Sequence, residues 1–450
     1  MNIIIVGAGE IGRYMALRLS KESHGIVVIE RDEKIASDLD SKIDARVMSA
    51  DGSSVNTLLE AGVAECELFL ALTSDNNINL VSCSMAKALG ARRVICRVHP
   101  GLQREEFLFD FRTQFGIDYV FSSERLAAIE LAKFVRNPNS IFVEEIARGH
   151  IEVQLFRVSP ESDLAGKALK DLDFPPRVRI GSIQRGVRSI IPTADEEIHG
   201  GDLVTVFGDP NRLHEAANRL RSAGGKEQVT NVVIFGGGEY GFSLAQTLES
   251  GNCRVRIFEV DPARCEVLTE QLASATVLNA DATSLAELKE EAVGDADFFI
   301  GVTEVDEDNV MTCIQAHSLG AKNCLTLIHR ADYADAITSF GERMGIRAAV
   351  SPREATRRDL MRFVTSDRFH LVRELPAGEL IEASVAEGSE VAGKKVAEIE
   401  WPASCILVGI LHGIRAMAPA ADDVIEEGDN LYALVSAKTK KQFLKLVSKA

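Results

Sequence analysis

The chain has 450 residues, of which 46% are hydrophobic and 26% charged, a composition typical of a globular protein with room for several domains. No apolar run approaches the ~18 residues of a membrane-spanning helix, and an apolar strand starts at the N-terminus, so no membrane segment or signal peptide is expected. The net charge of −17 disfavours nucleic acid and anionic lipid as partners, and the 8 cysteines, which lack metal-ligand spacing, predict free thiols in a reducing cytoplasm.

The first part of the chain alternates short apolar strands with helices. Strands that are apolar on both faces and alternate with helices predict a parallel sheet covered on both sides. The predicted strands are residues 3–6, 26–29, 45–48, 68–72, 93–98 and 116–122, and the predicted helices are residues 11–19, 55–61, 79–89 and 126–135.

Residues 141–221 show a different sequence pattern. Their short alternating strands are separated by Gly, Pro and Asp, which predicts a small β-rich module with a terminal helix. Residues 222–228, which contain Gly224 and Gly225, are the predicted linker to the next segment.

The second half of the chain repeats the first half in the same order. Its predicted strands are residues 232–235, 255–258, 275–278, 298–302, 324–328 and 345–351, its predicted helices are 240–248, 309–319 and 355–364, and residues 370–447 are again β-rich. The predicted fold is therefore α/β, with two tandem Rossmann-like, doubly wound parallel-sheet domains, each followed by a small β-rich α+β subdomain. The predicted boundaries are 1–136, 137–225, 226–366 and 367–450.

Two matched helices, residues 126–135 and 355–364, have apolar residues on more than one face. A helix of this kind is expected to be buried against a second domain or subunit. Ordinary packing within one core is the alternative interpretation.

Each α/β segment opens with a strand that runs into Gly-x-Gly-x-x-Gly, at residues 7–12 and 236–241. The first glycine permits the sharp turn, the second lets the backbone approach a pyrophosphate, and the third allows close packing of helix on strand. The helix N-terminus then offers free N–H groups to phosphates. Glu30 and Glu259 end the next strand of each copy, 18 residues beyond the third glycine, where a carboxylate binds ribose hydroxyls and favours NAD over NADP.

Further polar side chains follow the later strands, at the edge where open α/β sheets bind ligands. They either contact a ligand or cap turns. The copies differ, because Glu304 replaces Ser74 and Leu327 replaces Arg97, so the second site is weaker, differently selective or only structural. The candidate nucleotide-binding residues are Gly7, Ala8, Gly9, Glu10, Ile11, Gly12, Glu30, Asp51, Thr73, Ser74 and Arg97 in the first copy, and Gly236, Gly237, Gly238, Glu239, Tyr240, Gly241, Glu259, Asp281 and Thr303 in the second.

The order of these motifs resembles that of the cytoplasmic regulatory subunits of Trk-type bacterial potassium uptake systems, the TrkA family with two tandem RCK units. The resemblance covers nearly the whole chain, and both β-rich modules are similar to the RCK C-terminal subdomains of the family. The residues that carry it are 7–12, Glu30, Asp51, Gly52, Thr73, Ser74, Asp75, Gly90, Ala91 and Arg97, and then 236–241, Glu259, Ala280, Asp281, Thr303, Gly320 and Ala321.

The resemblance implies a protein that binds NAD(H), and ATP or ADP at the same sites, and that forms a homo-oligomeric ring, dimer or tetramer. It implies a peripheral location on the inner face of the cell membrane, held by an integral membrane potassium-translocating subunit whose gate the protein adjusts. Direct insertion into the membrane and nucleic-acid binding are not expected.

An NAD-dependent oxidoreductase is the competing interpretation, since this fold often serves hydride transfer. Such an enzyme needs a general acid or base near the nicotinamide. The copy-matched His99 and His329 are the best candidates, although an interpretation as strand-end surface residues is favoured. A redox-sensing repressor is disfavoured by the acidic charge and by the lack of a basic helix-turn-helix. We therefore expect a binding protein without catalytic or metal-ligating residues, which converts nucleotide state into a mechanical signal.

Overall fold

The structure is a computed structural model. The residues it describes are 1–21, 24–104, 109–137, 142–147, 151–186, 188–220, 229–249, 251–330, 333–334, 336–337, 341–361, 363–364, 369–375, 377–412 and 415–448.

Contacts group the chain into two compact units, each built from both halves of the chain. The first unit comprises Met1–Val135 and Val229–Val364, and the second comprises Arg136–Gln228 and Thr365–Ala450. The finer division at residues 136, 225 and 366 stays a prediction, and the predicted linker 222–228 lies outside the described residues.

The first α/β segment forms a sheet of parallel strands in the order β3-β2-β1-β4-β5-β6. The order reverses between β1 and β4, so the glycine loop after β1 lies at a topological switch point, where such sheets bind ligands. The strands are β1 (Asn2–Val6), β2 (Gly25–Glu30), β3 (Arg46–Ser49), β4 (Leu68–Ala71), β5 (Val94–Arg97) and β6 (Tyr119–Phe121), and the helices are α1 (Glu10–Leu19), α2 (Glu33–Asp40), α3 (Val55–Glu60), α4 (Asn76–Ala88), α5 (Pro100–Arg104), α6 (Phe111–Phe115) and α7 (Ser123–Arg136).

The first β-rich segment forms an antiparallel sheet in the order β10-β9-β11-β8-β7. Its elements are β7 (Phe142–Ile146), β8 (Ile151–Arg157), β9 (Arg179–Arg185), β10 (Arg188–Ile190), β11 (Leu203–Gly208) and the helix α8 (Pro210–Leu220).

The second α/β segment reproduces the first sheet, with parallel strands in the order β14-β13-β12-β15-β16-β17. The strands are β12 (Thr230–Phe235), β13 (Cys253–Glu259), β14 (Thr276–Asn279), β15 (Phe298–Gly301), β16 (Asn323–Leu327) and β17 (Ile346–Val350), and the helices are α9 (Glu239–Glu249), α10 (Pro262–Gln271), α11 (Leu285–Glu290), α12 (Asp306–Leu319) and α13 (Pro352–Met361).

The second β-rich segment forms an antiparallel sheet in the order β18-β19-β22-β20-β21. Its elements are β18 (His370–Leu375), β19 (Gly378–Ser384), β20 (Cys405–His412), β21 (Arg415–Met417), β22 (Asn430–Val435) and the helix α14 (Lys440–Val447). The predicted fold, two Rossmann-like parallel sheets and two small β-rich subdomains, is therefore confirmed. Among the described residues, no helix combines the length and apolar character needed to cross a membrane.

The helix α7 of the first segment completes the core of the second segment. Its side chains Ala127, Leu131 and Val135 are at most 2% exposed and share one cluster with Val232 and Ile234 of β12. The prediction that this helix is buried against a second domain is thus confirmed.

The helix α13 of the second segment makes the reciprocal contact. Leu360, and Val364 just beyond the helix, pack in the core of the first segment with Ile3 of β1 and Met15 of α1. Each burial of a side chain of this size contributes about 1.5–3 kcal/mol. The two α/β segments therefore exchange helices and share their stability.

The two β-rich segments also share a core. Ile151 and Phe207 of the first segment lie in one cluster with Leu380 and Leu434 of the second. These two segments are therefore one folding unit.

Two buried carboxylates of the second unit have different cationic partners. Asp202 lies 2.8 Å from Nη2 of Arg185, whereas the matching Asp429 lies 2.7 Å from Nδ1 of His412. The hydrogen bond to Asp429, together with the charges of Asp429 and Glu426, raises the pKa of His412. The second copy thus places a titratable ring where the first copy has a permanent charge.

Helix boundaries differ from the prediction where capping residues set them. The helix predicted over 79–89 begins at Asn76, because the carboxylate of Asp75 accepts hydrogen bonds from the N–H groups of Asn77 and Ile78. The helix predicted over 355–364 spans Pro352–Met361, and residues 363–364 follow it in a turn.

Some helices were missing from the prediction altogether. Examples are α2 and α10, which follow the strands that end at Glu30 and Glu259. Asp32 and Asp261 cap their first turns and were the available sequence signal.

Replacing Leu131 with Ala should lower the free energy of unfolding by about 2–5 kcal/mol, because it opens a cavity at a side chain that is 1% exposed in the shared core. Urea titration measures the loss, and amide exchange in β12 should accelerate although Leu131 lies in the first segment. The control is Leu59→Ala, at a side chain 53% exposed, with an expected change within about 0.5 kcal/mol. A loss below about 1 kcal/mol for Leu131→Ala contradicts the shared core.

The raised pKa of His412 gives a stability contribution that is complete below the unfolded value of about 6.5 and is lost as pH rises through the folded pKa. The variant His412→Arg, which copies Arg185, should flatten this decline above about pH 6.5. Thermal unfolding midpoints of both proteins across this range measure the difference. Parallel pH profiles would show that the Asp429 contact contributes nothing to stability.

Candidate functional site

The glycine loop of the first copy needs glycine for different reasons at its three positions. Gly7 has φ +95°, and a Cβ there would lie 2.8 Å from Cγ2 of Thr73. A Cβ on Gly12 would overlap the carbonyl oxygen of Gly7, whereas a Cβ on Gly9 would meet nothing within 4 Å. The second glycine therefore faces open space, as expected where a pyrophosphate approaches the backbone.

The loop of the second copy has the same geometry. Gly236 has φ +107° and lies against Thr303, and a Cβ on Gly241 would overlap the carbonyl oxygen of Gly236. Gly238 again faces open space.

The acidic residue after the second strand holds the glycine loop in both copies. One carboxylate oxygen of Glu30 accepts the N–H of Ala8 at 2.6 Å, and the other accepts the N–H of Asp32 at 2.9 Å. Glu259 does the same with the N–H groups of Gly237 and Asp261. The carboxylate that the sequence assigned to ribose binding is therefore already positioned beside the loop.

A buried asparagine, which sequence reasoning missed, ties two strand ends together. Oδ1 of Asn79 accepts the N–H and the hydroxyl of Thr73 at 3.0 and 2.7 Å, and its Nδ2 donates to the carbonyls of Thr73 and Arg97, each at 2.9 Å. Asn309 makes the same four bonds with Thr303 and Leu327. The signal was present in the sequence as an asparagine at the same position of both repeats.

Two of the predicted ligand residues stabilise turns in this structure. Asp51 accepts the N–H and the hydroxyl of Ser53, and these bonds lower the pKa of its carboxyl group. Asp281 makes the matching bonds with Thr283. The hydroxyl of Thr73 points to Asn79, and Ser74 is exposed.

Arg97 lies at the end of β5 and forms a salt bridge with Glu124. Its Nη2 is 3.2 Å from Oε1 of Glu124, in the first turn of α7, and the Glu124 side chain is 8% exposed. Arg97 thus keeps its charge close to the glycine loop while the pair fixes its direction.

A cavity of about 430 Å³ lies at the first glycine loop, which is within the range of small-molecule sites. Most of the predicted first-copy residues line it, while Ala8 and Gly12 are buried in the loop behind it. The predicted lining residues of the first copy are Gly7, Gly9, Glu10, Ile11, Glu30, Asp51, Thr73, Ser74 and Arg97. From the second segment, the cavity also contains Tyr240, which was predicted for the second site, and His329, which was named as a catalytic candidate. Lining residues that the sequence did not indicate include Ile35, Ile78, Pro352 and Arg353.

A side chain of the second segment is bonded to the second glycine loop. Nε of Arg264 donates to the carbonyl of Gly237 at 2.7 Å, and its Nη2 lies 3.2 Å from Oε1 of Glu239. The matching residue of the first copy, Ile35, is 37% exposed and lines the open cavity. The two loops, alike in backbone, therefore present different surroundings.

A second cavity of about 290 Å³ lies where the two segments face each other. Tyr240, 9% exposed, lines it with Glu124 and Glu304, and burial together with the charges of these two carboxylates raises the pKa of its phenol. His329 is also there, held by Asp306 through Nδ1 at 3.0 Å. His329 is thus largely enclosed, unlike the surface position favoured from the sequence, whereas the matching His99 is exposed.

The described part of the chain contains no group of three or more His, Cys, Asp or Glu side chains arranged to hold a metal ion. The chemistry that the first cavity offers is that of binding. The first turn of α1, whose N–H groups no capping side chain occupies, and Arg97 suit phosphates. Glu30 suits ribose hydroxyls, and Ile35 with Ile78 gives apolar surface for a base.

Comparison with protein families matches four segments of the chain. The TrkA-N domain matches residues 3–123 and 232–352, and the TrkA-C domain matches residues 153–221 and 380–448.

Relatives match over nearly their whole length. The Trk system potassium uptake protein TrkA homolog 2 of Methanosarcina mazei is 30% identical over 454 residues, covering 97% of this chain and 98% of the relative. The Trk system potassium uptake protein TrkA of Halomonas elongata is 30% identical over 450 residues, covering 98% and 97%. Among solved structures, the GsuK channel bound to NAD shares the fold with a TM-score of 0.61 and 17% identity, covering 99% of this chain and 78% of that one.

Replacing Asn79 with Ala should lower the free energy of unfolding by at least about 2 kcal/mol, because each buried group left without a partner costs roughly 1–3 kcal/mol. Asn309→Ala should have a similar effect, since its four bonds are the same. Urea titration measures both, with Asn77→Ala, at an exposed position of the same helix, as the control. A loss no larger than that of the control would mean that the strand ends hold without the asparagine.

Proposed function

The chain belongs to the TrkA family of Trk-system potassium uptake proteins, and we propose that it acts there as a nucleotide-binding regulatory subunit. The family and its function agree with the expectation from the sequence. Support for the role in potassium uptake comes from relatives that are named as Trk system potassium uptake proteins and match almost end to end.

The observation that carries the nucleotide proposal is the cavity at the first glycine loop. It combines the open face of Gly9, the carboxylate of Glu30 and the guanidinium of Arg97 within about 430 Å³. These groups complement a pyrophosphate and a ribose, which NAD(H), ATP and ADP share. We propose NAD(H) as the ligand, with ATP or ADP at the same site, and the GsuK channel with this fold is bound to NAD.

The predicted residues of both copies remain the proposed binding set. In the first copy, the loop residues and Glu30 contact the ligand, while Asp51 and Thr73 hold the turns around it. In the second copy, Leu327 replaces Arg97, so the guanidinium at the end of this strand, which suits phosphates, is missing there. We therefore propose the first copy as the stronger site.

We propose that the protein is not an enzyme. A hydride-transfer site needs a general acid or base directed at the nicotinamide. Both ring nitrogens of His329 lie beside carboxylates, with Nδ1 3.0 Å from Asp306 and the buried Nε2 3.3 Å from Glu304, so neither nitrogen is directed at a ligand. His99 is exposed, and no carboxylate among the described residues orients its ring.

The proposed partner is an integral membrane potassium-translocating subunit, contacted from the inner face of the membrane by a homo-oligomer of this chain. A ligand shifts a gate only through its difference in affinity between two states, and a swing from 1:99 to 99:1 takes about 5.5 kcal/mol. Several sites in an oligomer would add their smaller differences.

Calorimetric titration of the purified protein with NADH, NAD, ATP and ADP tests the proposal. Glu30→Ala should weaken NADH binding by about 10- to 100-fold, because the carboxylate–ribose bonds and the hold on the loop are both lost. Glu33→Ala, at an exposed position in the first turn of α2, is the matched control and should change nothing. Absence of binding by any of the four nucleotides to the wild-type protein, or turnover of NADH, would overturn the proposed function.

A further inference from the structure

Arg353 reaches the first glycine loop from the other half of the chain. It lies in the first turn of α13 and lines the cavity together with Gly7, Gly9 and Glu30. It belongs to the second α/β segment and is not part of any nucleotide-binding motif in its own repeat.

The position of Arg353 relative to the loop is fixed by its helix. Leu360, on the buried face of α13, packs in the core of the first segment. The neighbouring Glu354 accepts a hydrogen bond from the hydroxyl of Tyr14 on α1 at 2.8 Å, and Asp359 accepts one from Tyr119 at 2.9 Å. A guanidinium on this helix is therefore held beside the loop without a contribution from a ligand.

The guanidinium is only partly used within the protein. Nη2 of Arg353 lies 2.9 Å from Oε1 of Glu10, and the side chains are 22% and 63% exposed. Its Nε is buried and has no hydrogen-bond partner among the described residues. Arg353 thus carries an unsatisfied donor on a side chain that lines the cavity.

The negative charge of Glu10 would repel a phosphate at the loop, and the neighbouring Arg353 neutralises this charge. Glu10 is the first residue of α1, where the helix N-terminus and the loop N–H groups attract phosphates. A carboxylate at that point repels a phosphate, and an adjacent guanidinium both neutralises it and offers bidentate hydrogen bonds.

We propose that Arg353 of the second repeat binds the pyrophosphate of the nucleotide held by the first glycine loop. The ligand class is a nucleoside diphosphate or a dinucleotide, and the proposal rests on nucleotide binding at this loop as proposed above. When the nucleotide binds, its phosphates replace Glu10 as the partner of the guanidinium, and one ligand then contacts both repeats of the first unit.

The repeat itself shows the asymmetry. The residue matching Arg353 in the first copy is Glu124, which has the opposite charge and pairs with Arg97. The second glycine loop receives an arginine from its own segment instead, Arg264, which is bonded to Gly237 and Glu239. The exchange of charge at this matched position distinguishes the two loops and favours phosphate at the first.

The test is calorimetric titration of the full chain with NADH, ADP and adenosine. Arg353→Ala should weaken NADH and ADP by about 10- to 100-fold, as expected for loss of a charge-assisted hydrogen bond, and should leave adenosine unchanged. Glu10→Gln should act in the opposite direction and tighten NADH and ADP by a few fold, because it removes a repelling charge and frees the guanidinium. Arg358→Ala, five residues further along α13 and paired with Glu130, is the matched control.

The outcomes separate this proposal from the proposed function. NADH binding to the wild-type protein that Arg353→Ala leaves unchanged overturns the role of Arg353 only, whereas no binding to the wild-type protein overturns nucleotide binding itself. Equal losses for NADH and adenosine would indicate a change in the shape of the cavity and would also overturn the phosphate contact. Arg353→Lys keeps the charge and should restore part of the affinity for ADP, and it serves if the alanine variant does not fold.

Discussion

The exchange of helices between the two repeats is the contact on which the rest of the first unit depends. Each parallel sheet has one face that its own helices cover incompletely, and the other repeat supplies the missing helix. Because α7 and α13 are buried in the opposite core, the two sheets cannot separate without exposing side chains that each contribute about 1.5–3 kcal/mol. The two glycine loops are therefore held facing each other, and residues of one repeat become walls of the cavity of the other.

The sequence predicted the features that local chemistry dictates. The glycines of the first loop illustrate this. Gly7 has a positive φ, a Cβ on Gly12 would overlap the carbonyl oxygen of Gly7, and Gly9 leaves space where a ligand can approach the backbone. The alternation of strands with helices also predicted both sheets. The matched acidic residues at strand ends predicted the edge where the candidate site lies. The helices α2 and α10 were missed because their apolar periodicity is short, although Asp32 and Asp261 marked their starts.

The remaining parts of the site depend on tertiary contacts that no local pattern encodes. Arg353 reaches the loop only because α13 crosses to the other repeat, and its spacing from Gly7 in the chain carries no information about that. Asn79 was overlooked for a different reason, since a polar residue one turn into a helix is usually exposed. Its importance follows from four hydrogen bonds that join β4 and β5, which become visible only when the strand ends are placed side by side.

Internal duplication provides a control for interpreting such a site. Both copies keep the loop backbone, the bond from the acidic residue to the loop and the buried asparagine, so these features suffice for the fold and do not by themselves demand a ligand. The copies diverge at the side chains that would meet the ligand, where Ile35 is matched by Arg264 and Ser74 by Glu304. With isoleucine beside the loop of one copy and arginine bonded to the loop of the other, the two proposed sites would respond unequally to one nucleotide. Because the repeats share their cores through α7 and α13, a nucleotide that favoured one arrangement of the first loop would also bias the packing of these helices, and the proposed signal would reach both repeats by this route.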